Sequence, residues 1–154
     1  MKSYPIILDT NLLVLFVVGT ASRKYIQKHK RLTEFTAEDY DALVKIISAA
    51  SAILVTPNTL TETSNLAAYI GEPARSHVFE IFRCVVATTQ ETYVPSRTAA
   101  ERGEFVRLGL TDASLIETSS NEATVLTTDL GLYLAVLAKG TPAINFNYVR
   151  DQYL

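Results

Sequence analysis

The sequence predicts an α/β fold: one domain, with a parallel sheet carrying helices on both faces. Three observations predict it. Short aliphatic runs alternate with longer segments of helical spacing. Those runs are continuously apolar rather than alternating, as in strands buried on both faces. No repeat, linker or low-complexity stretch divides the 154 residues. One domain fills that length and two would not, so residues 1–154 are read as a single unit.

Each element has a local reason. Lys2–Leu8 is short, aliphatic and broken by Pro5, and reads as the first strand. Asp9-Thr10-Asn11 ends it, and the apolar run Leu12–Val18 begins a helix. Ser22–Arg31 is the only basic run. Thr36, with Glu38 and Asp39 behind it, caps a helix whose apolar positions are Leu43, Ile46, Ile47 and Ala50. Ala52–Val55 is a second strand. Thr56-Pro57 starts the next helix as cap and first-turn proline, through Leu60, Leu66, Ala67 and Ile70 to Gly71. Glu72-Pro73 opens another, carrying Val78, Ile81, Phe82 and Val85. Tyr93–Pro95 is extended. Ser96 caps a helix bearing Arg97, Glu101, Arg102 and Arg107. Leu108-Gly109-Leu110 is a loop, and Thr111 caps the helix after it. Ala123–Thr127 is a third strand. Gly131–Lys139 is a helix closed by Gly140, and Pro142–Phe146 is a last strand.

Composition narrows the function. Acids number 16 and bases 14, a net charge of −2. A uniformly basic nucleic-acid binder is excluded, and such a site would have to be a local patch. One cysteine, Cys84, permits no internal disulfide, and two histidines with it cannot build an ordinary zinc site. A bound metal would need oxygen ligands. Lys2 and the apolar stretch after it resemble a signal peptide, but Asp9 and Asn11 interrupt it. Leu12–Val18 is far shorter than the ~20 residues that span a bilayer. No membrane association is expected, and the cytoplasm is the expected compartment.

Open parallel sheets build their sites beyond the carboxyl ends of the strands. Asp9 follows the first strand and Asp129 the third. Glu62 lies in the second turn of the helix leaving the second strand, and Asp112 in the first turn of the helix before the third. Taken singly, each is as well explained as a turn former, a helix cap or a solvated residue. Together, four acids on one edge repel unless a cation joins them. Acids without His or Cys fit Mg²⁺ or Mn²⁺ used in phosphate chemistry. Thr10, Asn11, Ser114 and Thr128 could orient the carboxylates, or simply make turns and caps. Asn145 and Asn147 bracket Phe146 on the same edge, where an Asn more often makes the turn.

Ile6-Ile-Leu-Asp9-Thr-Asn11, Thr56-Pro57 with Leu60-Thr-Glu62-Thr-Ser64-Asn65-Leu66, Gly109-Leu-Thr-Asp112-Ala-Ser114 and Val125-Leu-Thr-Thr-Asp129, in this order, resemble the PIN-domain nucleases. The similarity runs over nearly the whole chain. It implies a PIN-like nuclease domain acting as a metal-dependent endoribonuclease on single-stranded RNA, with Asp9, Glu62, Asp112 and Asp129 as the acidic set. It implies that Asp9, Asp112 and Asp129 hold Mg²⁺ or Mn²⁺, directly or through water, and that Glu62 holds or orients a water for in-line attack on phosphorus. Many small bacterial members are the toxin half of a toxin–antitoxin pair, which makes an antitoxin protein an expected partner. Two departures stand out. The segment between Asn11 and the second strand is long, and no acid follows Asp129 within the next few residues, which leaves one or two metals open.

Five bases, Arg23, Lys24, Lys28, Lys30 and Arg31, interleave with Tyr25 and His29. Phosphate neutralisation beside aromatic rings is how single-stranded RNA is held, though a charge run is usually a solvated face. A homodimer is compatible with the abundance of apolar residues. The chain lacks the Gly-x-Ser-x-Gly of a serine hydrolase, the P-loop and the dinucleotide fingerprint. Asn11, where a haloacid-dehalogenase-type phosphatase would want an acid, disfavours that class. The remaining alternative is a non-catalytic RNA- or protein-binding module with an idle acidic pocket.

Overall fold

The computed structural model describes residues 3–153. Five strands form one parallel sheet in the order β3-β2-β1-β4-β5. They are β1 (Ile6–Leu8), β2 (Ile53–Val55), β3 (Gln90–Glu91), β4 (Thr124–Thr127) and β5 (Ala143–Asn145). The aliphatic strand β1 takes the centre, with Ile7 in register with Leu54 on one side and Val125 on the other. Its side chains alternate between two cores. Ile6 and Leu8 pack with α1 (Thr10–Ala21), α2 (Ala37–Ala49), α3 (Pro57–Ala67) and α4 (Ala74–Thr88). Ile7 packs with α6 (Phe105–Thr118) and α7 (Leu130–Lys139) on the opposite face. The expected single α/β domain with helices on both faces is what the chain forms.

The helix α1 is apolar all round because it is buried all round: Leu12, Leu13, Val14, Leu15, Val17 and Val18 are all inaccessible. Among the described residues no helix is long and apolar enough to cross a membrane. Gly19 lets α2 approach: a Cβ there would lie 2.2 Å from the Tyr40 ring. The Thr36 cap is a full capping box, since Thr36 Oγ1 accepts the Asp39 N–H at 3.2 Å and Asp39 Oδ2 accepts the Thr36 N–H at 2.9 Å. Thr56 caps α3 with Pro57 in the first turn, and Gly140 closes α7 at φ 90°. Lys139 donates to the carbonyls of Ile116, Glu117 and Ser119, tying the end of α7 to the end of α6.

Several local expectations are corrected. The helix after Pro57 ends at Ala67, not Gly71. Ser96 does not cap α5 (Ser96–Ala100); it is the first helical residue, after Pro95. Thr111 does not cap its helix either. The expected loop at 108–110 is a break inside α6 at Gly109 (φ 87°, ψ 178°), and the Thr111 hydroxyl turns away to Glu62. β3 lies just before the expected extended segment Tyr93–Pro95. A short helix, α8 (Phe146–Arg150), follows β5, and the basic run forms a 3-10 helix over Arg23–Lys28.

Candidate active site

Asp9, Glu62, Asp112 and Asp129 all line one cleft of about 400 Å³ at the carboxyl edge of the sheet. Four separate segments bring them there. Thr10, Asn11, Arg31, Asn65 and Leu66 complete the wall.

Asp9 is the most deeply set, 5% exposed. Its N–H bonds the Leu126 carbonyl of β4 at 3.1 Å, and its own carbonyl starts α1 by accepting from Leu13. Its carboxylate caps that helix, Oδ1 accepting the Leu12 N–H at 2.9 Å. Oδ2 accepts the Thr127 hydroxyl at 2.5 Å and the Thr128 N–H at 3.0 Å. Of the roughly four acceptor sites a carboxylate offers, three are used. Burial pushes its pKa up; the bonds from Thr127, Leu12 and Thr128 pull it down, and Asp129 adds a further push upward.

Asp129 repeats the pattern one strand away. It caps α7, with Oδ1 accepting the Leu132 N–H at 2.9 Å, and it is exposed on the cleft. Gly131 makes room for it, since a Cβ there would stand 3.1 Å from Asp129 Oδ1. Both acids therefore sit at helix N-termini, whose dipoles favour negative charge. The Thr127 hydroxyl connects them: it donates to Asp9 and accepts the Asp129 N–H at 2.9 Å.

Asp112 stands in the half-buried turn after the Gly109 break. Its pKa is pushed up to about 7, first by burial, then by Asp129, Asp9 and Glu62. Glu62 projects from the exposed side of α3. Oε2 accepts the Thr111 hydroxyl, and Oε1 lies 3.5 Å from Thr10 Oγ1. The side chain of Thr111 thus couples α6 to α3 across the cleft.

The expected orienting residues divide. Thr10 reaches Glu62, and Asn11 is exposed on the cleft wall. Thr128 contributes its backbone N–H to Asp9, while the hydroxyl that holds Asp9 is that of Thr127. Ser114 touches no site acid: its hydroxyl donates to the Leu110 carbonyl at 2.9 Å and lies 3.5 Å from Asn58 Oδ1. Asn145 caps α8, and Asn147 Nδ2 holds the Thr128 carbonyl at 3.1 Å. Thr111 and Thr127 went unrecognised as site residues. The only signal for them was adjacency to Asp112 and to the strand end.

The basic run also divides. Arg23 forms a two-point ion pair with Asp41 at 2.8 and 3.1 Å, away from the acids. Lys24, Lys28 and Lys30 are exposed, and Lys24 lines a different cleft with Arg23. Arg31 alone of the five lines the acidic cleft. His29 is wholly buried. Its Nε2 meets the Ala67 carbonyl at 3.1 Å and its Nδ1 accepts the Arg31 N–H at 3.1 Å. That pairing fixes the neutral tautomer, with the proton on Nε2, and burial lowers the pKa.

The donor set fits a hard divalent cation: oxygen only, and gathered from four segments. Among the described residues no group of three acids is arranged to hold an ion directly. One or two carboxylates, with water completing the shell, is the ordinary way Mg²⁺ is held. Comparison with family models, with curated proteins and with solved structures finds no match.

Proposed function

We propose that the chain is a PIN-like, Mg²⁺- or Mn²⁺-dependent phosphodiesterase, an endoribonuclease acting on single-stranded RNA. One observation carries the proposal. Acids 53, 50 and 17 positions apart in sequence meet in one cleft, where burial first and the neighbouring acids second push the pKa of Asp112 up to about 7. A fold gains nothing from that crowding by itself, because each buried charge disfavours the next.

Asp9, Asp112 and Asp129 would hold the ion, one or two of them directly and the rest through water. When bound, it supplies acidified water and neutralises charge on the phosphate. The chain's own residues do the rest. Thr127, Leu12 and Thr128 fix the Asp9 carboxylate by three bonds, which sets where its remaining lone pair points. Thr111 and Thr10 hold Glu62 on the opposite wall, placed to accept a proton from water or to orient it. The N-termini of α1 and α7 aim their dipoles at the same volume and favour the anion that in-line attack builds.

A cleavage assay on single-stranded RNA tests this, with Mg²⁺ or Mn²⁺ supplied and then chelated. Cleavage should require the ion and fall by at least about 10²-fold in Asp129→Asn, the order that one electrostatic stabiliser contributes. Cleavage that survives both chelation and Asp129→Asn overturns the nuclease reading. Ion-independent RNA or protein binding without cleavage would establish the binding-module alternative.

A further inference from the structure

Among the described residues, Arg31 is the one cation on the wall of a cleft lined by four acids. An arginine so placed would ordinarily swing onto a carboxylate. Here it does not: the ion pairs among the described residues join Arg23, Arg83, Arg102 and Arg150 to acids, never Arg31. Two contacts hold it off. Its backbone N–H is fixed by His29, whose buried ring is itself anchored to the end of α3 through Ala67. The neighbouring Lys30 N–H bonds the Tyr69 carbonyl at 3.2 Å, which ties the same turn to the residues after α3. The guanidinium lies over the Tyr69 ring, its carbon 5.5 Å from the ring centroid. A cation–π contact makes no hydrogen bond with the guanidinium N–H groups and leaves them available to an anion.

We propose that Arg31, held by His29 and Tyr69, is a phosphate-binding subsite: it takes by bidentate hydrogen bonds a backbone phosphate of the RNA strand next to the one reacting at the acids. The proposal rests on the nuclease reading for its substrate. The chemistry is that of the fork. Two parallel charge-assisted bonds match two phosphate oxygens, and a rigid, extended guanidinium loses little freedom in making them. The acids opposite give the subsite its selectivity. They repel a phosphate that comes without a cation, so the strand is drawn to Arg31 on one wall and to an ion on the other. The exposed side chains of Lys24, Lys28 and Lys30 lie against no aromatic ring among the described residues and would contribute long-range attraction only.

The test uses a labelled single-stranded oligouridylate. Its affinity is measured by anisotropy over a salt series with Asp9→Asn protein, and its cleavage kinetics are measured on the wild-type background. Arg31→Ala should raise Kd and KM about tenfold or more. It should lower the log–log salt slope by roughly 0.7, one phosphate contact on a single strand, and leave kcat within a few-fold. Arg31→Lys keeps the slope, because the charge stays, but raises KM a few-fold because the fork is gone. Tyr69→Leu behaves like Arg31→Lys, which a purely structural ring would not. Lys45→Ala, an exposed lysine on α2, is the control. Equal losses for Lys45→Ala and Arg31→Ala would show diffuse attraction and overturn the subsite, as would wild-type KM and slope in folded Arg31→Ala. Should the wild type bind RNA through Arg31 yet never cleave, the subsite stands and the nuclease reading alone falls.

Discussion

Two buried aspartates in this molecule solve the same problem in opposite ways. Asp39, at the start of α2, is wholly inaccessible; Asp9, at the end of β1, is nearly so. Each carboxylate accepts three hydrogen bonds. Those to Asp39 come from the Thr36 N–H, the Tyr153 hydroxyl at 2.6 Å and the Arg150 guanidinium at 3.1 Å, a full counter-charge. Arg150 is held in turn by the Glu34 carbonyl at 2.6 Å and lies over the Phe35 ring. Burial and the bond to Asp39 push the Tyr153 phenol up, so it stays a donor. The donors to Asp9 are all neutral, and its charged neighbour is another acid. A carboxylate that serves the fold brings its cation with it. Asp9 has no such cation among the described residues, and the proposed function supplies one from outside.

The contrast can be broken by exchanging the outcomes of two like substitutions. Asp9→Asn should abolish cleavage, by at least about 10²-fold, while its melting temperature falls only slightly, because removing an uncompensated buried charge offsets the donor its amide turns toward Thr127 and Thr128. Asp39→Asn should do the reverse. It strands Arg150, costs about 3 kcal/mol and lowers the melting temperature by roughly 6–12 °C, yet leaves the folded protein's kcat near wild type. Paired activity assays and thermal melts decide. If Asp9→Asn proves the more destabilising of the two, the distinction between a self-neutralised and an open carboxylate is lost.

Asp112 sharpens it further. Its folded pKa, about 7, lies above its unfolded value, so the native state binds the extra proton between those two values. Stability contributed by the metal-free site therefore falls as pH rises from about 4 to about 7 and stays lost above. After discounting for the exposed part of the group, the loss is about 2 kcal/mol. Asp112→Asn should raise the metal-free melting temperature at pH 8 by roughly 4–8 °C, with the gain vanishing below about pH 4. A gain that is constant with pH would mean that the local helix geometry after Gly109, not the charge, is responsible. The smallest effect is the ion's own. With a Kd of about 1 mM, ~10 mM Mg²⁺ adds roughly 1.4 kcal/mol, a melting shift of about 3–6 °C. Asp112→Asn should shrink that shift and Asp39→Asn should not.

What the sequence made legible follows from where its signals are local. Aliphatic strands, Thr36, Pro57 and Gly140 speak through neighbours a few positions away; these strands and caps form, though the Pro57 helix ends at Ala67 and Phe146, expected in the last strand, begins α8. The four acids were found because strand ends define an edge whatever the details above it. Other features depend on contacts that no window contains. Gln90–Glu91 is polar and exposed, and becomes a strand only because β2 offers an unpaired edge. Arg150 meets Asp39 across 111 positions. That Thr127, not Thr128, gives its hydroxyl to Asp9 is set by the face of β4 it points from, and the face is set by register. The basic run looked uniform because spacing shows charge but not direction. Arg23 and Lys24 lie in the 3-10 helix, while Arg31 lies beyond it in the turn that His29 fixes, and the two ends face different clefts.

The central place of β1 has a consequence for how the cleft comes into being. Asp9 leaves the ribosome 118 positions ahead of Thr127. At about 5–20 residues per second, that interval lasts several seconds or more. Until it ends, Asp9 lacks two of its three donors, Asp129 does not exist, and the β1–β4 pairing must wait for the chain to close a very long loop. The edge of the sheet is thus completed late in synthesis. A fragment that stops short of β4 carries Asp9, Glu62 and Asp112 but has neither Asp129 nor the Thr127 and Thr128 donors that fix the Asp9 carboxylate, so the four-acid cleft exists only once β4 has joined β1.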